Sequence, residues 1–246
     1  MKAYTMSEIS ANEIINDFNI KYPFDIYKFC QQLDIKIIED DYSVDAYLFC
    51  ENGTKAIAIN RNITNVNRRK FIIAHELGHY FIHGREITFA CLNINETINK
   101  YRKSEETERE ANEFASEILL PKKEIIKNLP DRTMNFLDIE RIAQKFEVSL
   151  TFASIKAIEN SKTENEVLLC YKNNALKWFA TSSIYVNLSI NSLPPMDTLI
   201  DRYFRENEID NKQEVSKGKW RFTEKNTKEE IKVINRNEVL ALITIE

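Results

Sequence analysis

The chain has 246 residues, 43% of them hydrophobic and 29% charged, with a formal net charge of −4. This composition, with a pI near 5.6, excludes wholesale disorder and leaves no general electrostatic drive towards nucleic acid. No stretch approaches the ~18 consecutive apolar residues of a membrane span, and "MKAYTMSEISANEII" holds no apolar signal core, so a cytoplasmic protein of one large domain or two small ones is expected.

In chain order, Ser10 and Glu13 form a capping box ahead of Ile14, Ile15 and Phe18, which predicts an opening helix. Asp25 can cap a second helix whose apolar face is Ile26, Phe29, Cys30 and Leu33. "IKIIED" has the pattern of a strand. "AYLFC" and "KAIAIN" flank Asn52 and Gly53, a strong hairpin signal, and predict two more. A long helix is expected from a cap near Thr64 through His83, stopping at Gly84. Residues 85–103 have no clean period and are expected as loop. Ser104 can cap a helix with an acidic first turn, Glu105 and Glu106, that Pro121 ends. Two shorter helices follow at 136–146 and 150–159, then a polar linker, "ENSKTEN", at 159–165. Beyond it, "EVLLCY" and "LKWFAT" predict a hairpin around Asn173 and Asn174, with "KWRF" and "EVLALITIE" as further strands. Four cysteines, Cys30, Cys50, Cys91 and Cys170, lie far apart with no CxxC pair, which suits free buried thiols and not a zinc knuckle.

All three histidines of the chain, His75, His79 and His83, fall four residues apart within "FIIAHELGHYFIHG". On a helix they share one face. Two imidazoles at i and i+4 stand about 6 Å apart and can grip one tetrahedral ion. Glu76 lies ~100° around the helix from His75, where it can take a proton from a water. His75, Glu76 and His79 thus form the HExxH pattern, which supplies two ligands and a general base from five residues. Mere packing is the competing reading, but Ile72, Ile73 and Leu77 make this a buried helix, where such polar groups are costly without a purpose. Gly78 inside the helix costs ~1 kcal/mol relative to alanine, which suggests close approach by another element. His83 cannot be a third ligand on a straight helix, because eight residues span about 12 Å. A structural role at the helix end is expected for it.

The third ligand is expected on "SEETEREANEFASEILLP". Catalytic zinc often takes two histidines and one carboxylate. Ala111, Asn112, Ala115, Ile118 and Leu119 form the buried stripe, and Glu108 heads it, with Glu110 and Glu105 as alternatives. Ala111 and Ala115 are small enough to pack closely against Gly78. Asn112, one turn below Glu108, is placed to hydrogen-bond to a ligand and orient it.

"RRKFIIAHELGHYFIH" followed by "ETEREANEFASEILLP" resembles the ImmA/IrrE family of metallopeptidases. The hairpin ending in "AIAIN" and the later "IAQKFEVSLTFASIKAI" are similar to that family's layout, so the likeness spans about residues 8–158. The resemblance implies that His75 and His79 are metal ligands, Glu76 the catalytic acid/base and Glu108 the third ligand. It implies Zn2+ as the ion, with Mn2+ or another divalent ion as alternatives. It also implies a helix-turn-helix repressor as substrate, cut to relieve repression in a mobile element or a stress response.

The expected fold class is α+β. A zincin-like metallopeptidase domain occupies 1–160, with a small mixed sheet, the HExxH helix and a helix-turn-helix-like segment at 136–158. A smaller β-containing domain occupies 161–246. Tyr80 and Tyr101 are the candidates for steadying an oxyanion. The rival expectation is a non-catalytic DNA- or protein-binding regulator with a structural metal site. Against its DNA-binding form, "SLTFASIKAIEN" carries only Lys156 as a base, and phosphate contacts need several. Neither a nucleic acid nor a membrane is expected as partner.

Overall fold

The computed structural model describes residues 6–51, 53–83, 89–91, 106–163, 165–182, 186–206, 212–215 and 218–246 of the chain. Helix α1 (Met6–Asp17) begins four residues ahead of the expected cap, so Ser10 and Glu13 lie within it rather than at its start. Asp25 caps α2 (Ile26–Gln32) as expected, accepting from the Lys28 backbone N–H at 3.1 Å. Strand β1 (Lys36–Asp40) runs parallel to β3 (Thr54–Asn60), with Lys36 opposite Ala56. Strand β2 (Ala46–Glu51) pairs antiparallel with β3, and Gly53 turns the hairpin at φ +78°. Asn52, the other half of the hairpin signal in the sequence, lies outside the described residues. Ala56, Ile57, Ala58 and Ile59 are all buried, which marks β3 as the central strand covered on both faces.

Within the segment expected as loop, β4 (Phe89–Cys91) pairs with β2, and the first sheet has the order β1-β3-β2-β4. A strand this short carries too few residues for a period to show. Helix α3 (Val66–Gly78) is capped by Asn65, one residue past the expected cap; its side chain accepts from the Arg68 N–H at 2.9 Å. Helix α4 (Glu106–Leu119) packs against both α1 and α3. The cap assigned to Ser104 lies outside the described residues, as does Gly84.

Helix α5 (Lys122–Asn128) was not expected from the sequence; α6 (Phe136–Phe146) and α7 (Leu150–Glu159) have the expected bounds. Strands β5 (Glu166–Lys172) and β6 (Ala175–Thr181) form the expected hairpin. Helix α8 (Leu199–Glu206), absent from the expectation, precedes β7 (Lys212–Val215), β8 (Thr227–Asn235) and β9 (Glu238–Ile245). "KWRF" forms turns instead of a strand: Trp220 is buried in the core of the second sheet, and the Trp220 carbonyl accepts from the Thr223 N–H at 3.0 Å. The second sheet is antiparallel throughout, in the order β6-β5-β9-β8-β7. Its core holds Val167, Leu169, Tyr171, Ile231 and Ala241 with Leu199, Ile200 and Tyr203 of α8.

The contacts divide the chain into two units: Met1–Pro121 with Lys145–Ser149, and Lys122–Gln144 with Leu150–Glu246. Residue 160, the expected boundary, lies inside the second of these units. There, the polar stretch expected as a linker is tied down. Ser161 and Thr163 donate to the buried Glu166 carboxylate at 2.6 and 2.8 Å, and Lys162 donates to the Leu129 carbonyl at 3.0 Å. Among the described cysteines, Cys30, Cys50 and Cys170 are free and buried, and burial pushes the Cys30 thiol up to about 12. The Cys91 side chain lies outside the description.

Candidate metal centre

The second half of α3, from Ile72 to Gly78, is buried without a break. It carries His75 and Glu76 into the interior, both with 0% exposure, and His79 follows them at 0%. At His79 the helix widens into one π-turn, His79–His83, a form that inserts an extra residue per turn and recurs at functional sites. Helix α4 comes against α3 at the glycine. A Cβ on Gly78 would stand 2.9 Å from the Ala111 Cα and 3.0 Å from the Ala111 carbonyl oxygen, so only glycine permits this approach. The expected close packing is therefore present, and it sets the Glu108 carboxylate beside the two imidazoles.

His75 Nε2 and His79 Nε2 stand 3.1 Å apart, and each lies 3.3 Å from an oxygen of Glu108. Ligand atoms about 2.0–2.2 Å from a tetrahedral ion stand about 3.3–3.6 Å from one another. The three donors sit close to the edges of such a tetrahedron, and two imidazoles with one carboxylate are the donor set of catalytic zinc. Among the described residues, this is the group of histidine, cysteine and acidic side chains arranged to hold a metal ion. The Glu108 side chain keeps 31% exposure while the histidines keep none, so the cluster meets solvent on the Glu108 side.

The electrostatics fit a cation at this point. Burial disfavours charge on His75, but the Glu108 hydrogen bond and the nearby Glu76 and Glu108 charges outweigh it and raise its pKa. On His79 burial prevails over the Glu108 hydrogen bond, with help from the neighbouring imidazoles, and lowers the pKa. Burial alone would raise Glu108, yet hydrogen bonds from His75 and His79 hold it well below the ordinary carboxylate range. The cluster thus keeps a carboxylate anionic and draws a proton onto the facing imidazole. A divalent ion competes for the same lone pairs.

Behind the cluster, His75 Nδ1 donates to Asn112 Oδ1 at 2.9 Å, the contact that the spacing of Glu108 and Asn112 led one to expect. Glu110, the first alternative for third ligand, faces His83 instead, with His83 Nε2 donating to its Oε2 at 3.0 Å. Glu105, the second alternative, lies outside the described residues, as does Tyr101. Tyr80 is buried, with the Lys55 ammonium 5.9 Å from its ring centroid. His83, expected in a structural role at the helix end, stands between two side chains, Glu110 and His79, with its Nδ1 2.9 Å from His79 Nδ1. The repeat of four in 75, 79 and 83 was the available signal for that contact; the π-turn that completes it has no signature in the sequence. Phe114 and Glu117, on the Glu110 side of α4, are also buried, so this helix is covered over more than one stripe.

Comparison with known proteins supplies a second line. Residues 30–157 match the IrrE N-terminal-like domain. The chain is similar to the metallopeptidase ImmA of Bacillus subtilis (strain 168), with 29% identity over 143 residues, 58% of this chain and 80% of that protein. It is also similar to the uncharacterized immunity region protein 2 of Bacillus phage phi105, with 29% identity over 121 residues, 48% of this chain and 70% of that one. Among solved structures, a Mycobacterium tuberculosis transcriptional regulator shares the fold at a TM-score of 0.59 and 12% identity, over 98% of this chain and 77% of that one.

Proposed function

Because the chain belongs to the IrrE N-terminal-like family of ImmA-related metallopeptidases, we propose that it is a zinc-dependent endopeptidase that makes a site-specific cut in a partner protein. The proposed substrate is a helix-turn-helix repressor. One observation carries the reading: Glu76, fully buried, adjoins His75 on the helix whose Nε2 atoms converge with the Glu108 carboxylate. A buried carboxylate next to a ligand set has the position of a general base.

His75, His79 and Glu108 would hold the ion. When bound, it supplies Lewis acidity, polarising a peptide carbonyl and acidifying a water. Glu76 takes a proton from the attacking water at its carboxylate and returns it to the leaving amine nitrogen. Asn112 keeps the His75 ring oriented through its 2.9 Å hydrogen bond. Two facts support a protein substrate and a repressor in particular. The one cation of α7, Lys156, is only 9% exposed, which leaves that helix poorly equipped for phosphate contacts. The phage phi105 relative is named for an immunity region, a setting that a repressor-directed peptidase would serve.

The test is a gel of a small helix-turn-helix protein, taken from the gene beside this one, mixed with metal-loaded enzyme. One or few cuts are expected, abolished by chelator. Glu76→Gln should keep the metal and cut ~10²–10⁴-fold more slowly. An intact repressor in every lane, beside a metal-loaded enzyme, would refute repressor cleavage. Equal cutting by Glu76→Gln would remove Glu76 from the chemistry.

A further inference from the structure

Each of the two histidines has its Nε2 in the cluster, yet the two are backed differently. His75 Nδ1 meets the neutral amide oxygen of Asn112 at 2.9 Å. His79 Nδ1 meets His83 Nδ1 at 2.9 Å, and His83 Nε2 meets the Glu110 carboxylate at 3.0 Å. Two ring nitrogens at 2.9 Å need one proton between them, and its side decides everything else. If His83 Nδ1 were the donor, His79 would have to accept at Nδ1 and carry its own proton on Nε2, where it could bind no metal. If His79 Nδ1 is the donor, its Nε2 lone pair is free to ligate. His83 then accepts at Nδ1 and carries its proton on Nε2, which points at a carboxylate able only to accept.

We propose that Glu110 and His83 are positioning residues that act through His79, a directed chain of two hydrogen bonds that sets the tautomer and ring orientation of that ligand. The proposal rests on the metal-site reading above. The carboxylate anchors the far end, because an anionic acceptor fixes the His83 proton on Nε2, and that in turn leaves His83 Nδ1 able only to accept. Three features of the fold build the chain. The π-turn at His79–His83 brings the two imidazoles to a ring separation of 5.0 Å. The His83 side chain is 9% exposed and that of Glu110 is 25% exposed, so the chain is mostly shielded from competing water. Gly78 lets α4 approach closely enough for Glu110 to reach across. Residues behind a metal ligand typically contribute ~10–100-fold to affinity, so their loss should be measurable without any assay of catalysis.

The chain has only three histidines, so its six ring nitrogens can be assigned in a nitrogen NMR spectrum of the zinc-loaded protein. The expected result is a proton on Nδ1 of His75 and His79 and on Nε2 of His83. A His83 protonated on Nδ1, or on both nitrogens, would overturn the proposal. In chelator-competition titrations, His83→Phe and Glu110→Ala should each weaken zinc ~10–100-fold, and the double variant should be no worse than either, because they form one chain. Glu110→Gln keeps an acceptor and should recover much of the loss. Unaltered affinity in both single variants, or full additivity in the double, would overturn the relay while leaving the metal site standing. If wild type binds no divalent ion, the metal-site reading falls and the relay with it. Circular dichroism of each apo variant separates these outcomes from failure to fold.

Discussion

Both units of the chain hold carboxylates away from bulk water, fully or in part, and the Glu108 cluster differs in kind from two buried carboxylates of the second unit. In the second unit, Glu166 at 0% exposure accepts from the Met134 N–H at 2.9 Å and from Ser161 and Thr163. Glu229 at 1% exposure accepts from Leu199 N–H and Ile200 N–H, at 2.8 and 3.2 Å, at the start of α8. Each of these tethers a turn or a helix end by accepting from backbone N–H or hydroxyl donors. In the first unit, Glu108 and two imidazoles aim their lone pairs at one point, with Asn112 and His83 braced behind them. Burial of charge alone therefore identifies nothing. Convergence of acceptors that repel one another unless a cation or proton sits between them separates a site from a tether.

The contrast breaks most sharply at the Glu108 carboxylate. Glu108→Ala should cost more metal affinity than the ~10–100-fold typical of a residue behind a ligand, whereas Glu229→Ala should leave metal content unchanged. Equal metal in Glu108→Ala and wild type would erase the distinction. Gly78→Ala tests how the first unit holds its cluster together. The added methyl overlaps the Ala111 backbone, so overpacking of ~1–3 kcal/mol should exceed the ~1 kcal/mol gain in helix propensity. A lower urea midpoint with weaker zinc binding is expected; a stabilised protein would contradict the close packing.

Acidity should separate the two units further. In the metal-free cluster the His75 pKa is raised, so its proton competes with the ion over a range that begins above the ordinary histidine value. Above that pKa His75 is neutral and this competition vanishes; below it, each pH unit should cost about tenfold in affinity. A titration from about pH 8 to about pH 5 checks this, and a curve still flat below the ordinary histidine value would contradict it. The smallest effect belongs to the tether. Glu229→Ala removes an acceptor at a helix start, which typically costs ~0.5–2 kcal/mol. Both tryptophans, Trp178 and Trp220, lie in the second unit, so their fluorescence in urea reports its unfolding. An unshifted transition would make Glu229 incidental.

The site was more legible in the sequence than the scaffold around it. His75, Glu76 and His79 stand at a spacing set by helix geometry, and Asp25 and Gly53 mark their turns through local chemistry that long-range packing did not override. What went unseen depends on partners distant in sequence. Helix α5 has only Ile125 and Ile126 as apolar residues, side by side, with no helical period. Trp220 and Phe222 look like strand residues, but the core takes their rings from a turn, at a centroid separation of 5.8 Å. Helix α8 did carry a signal: Thr198 accepts from the Asp201 N–H at 3.3 Å, a capping pattern masked by two preceding prolines. The His83 contact required the π-turn, which no residue pattern announces.

Metal content per chain tests the central claim most directly, measured by elemental analysis of wild type, Glu76→Gln, His79→Ala and Glu108→Ala purified side by side. About one divalent ion per chain is expected in wild type and in Glu76→Gln, because the role proposed for Glu76 is that of a base and not a ligand, and little or none in the other two. Full occupancy in His79→Ala, or none in wild type supplied with zinc, would contradict the reading of His75, His79 and Glu108 as a metal centre.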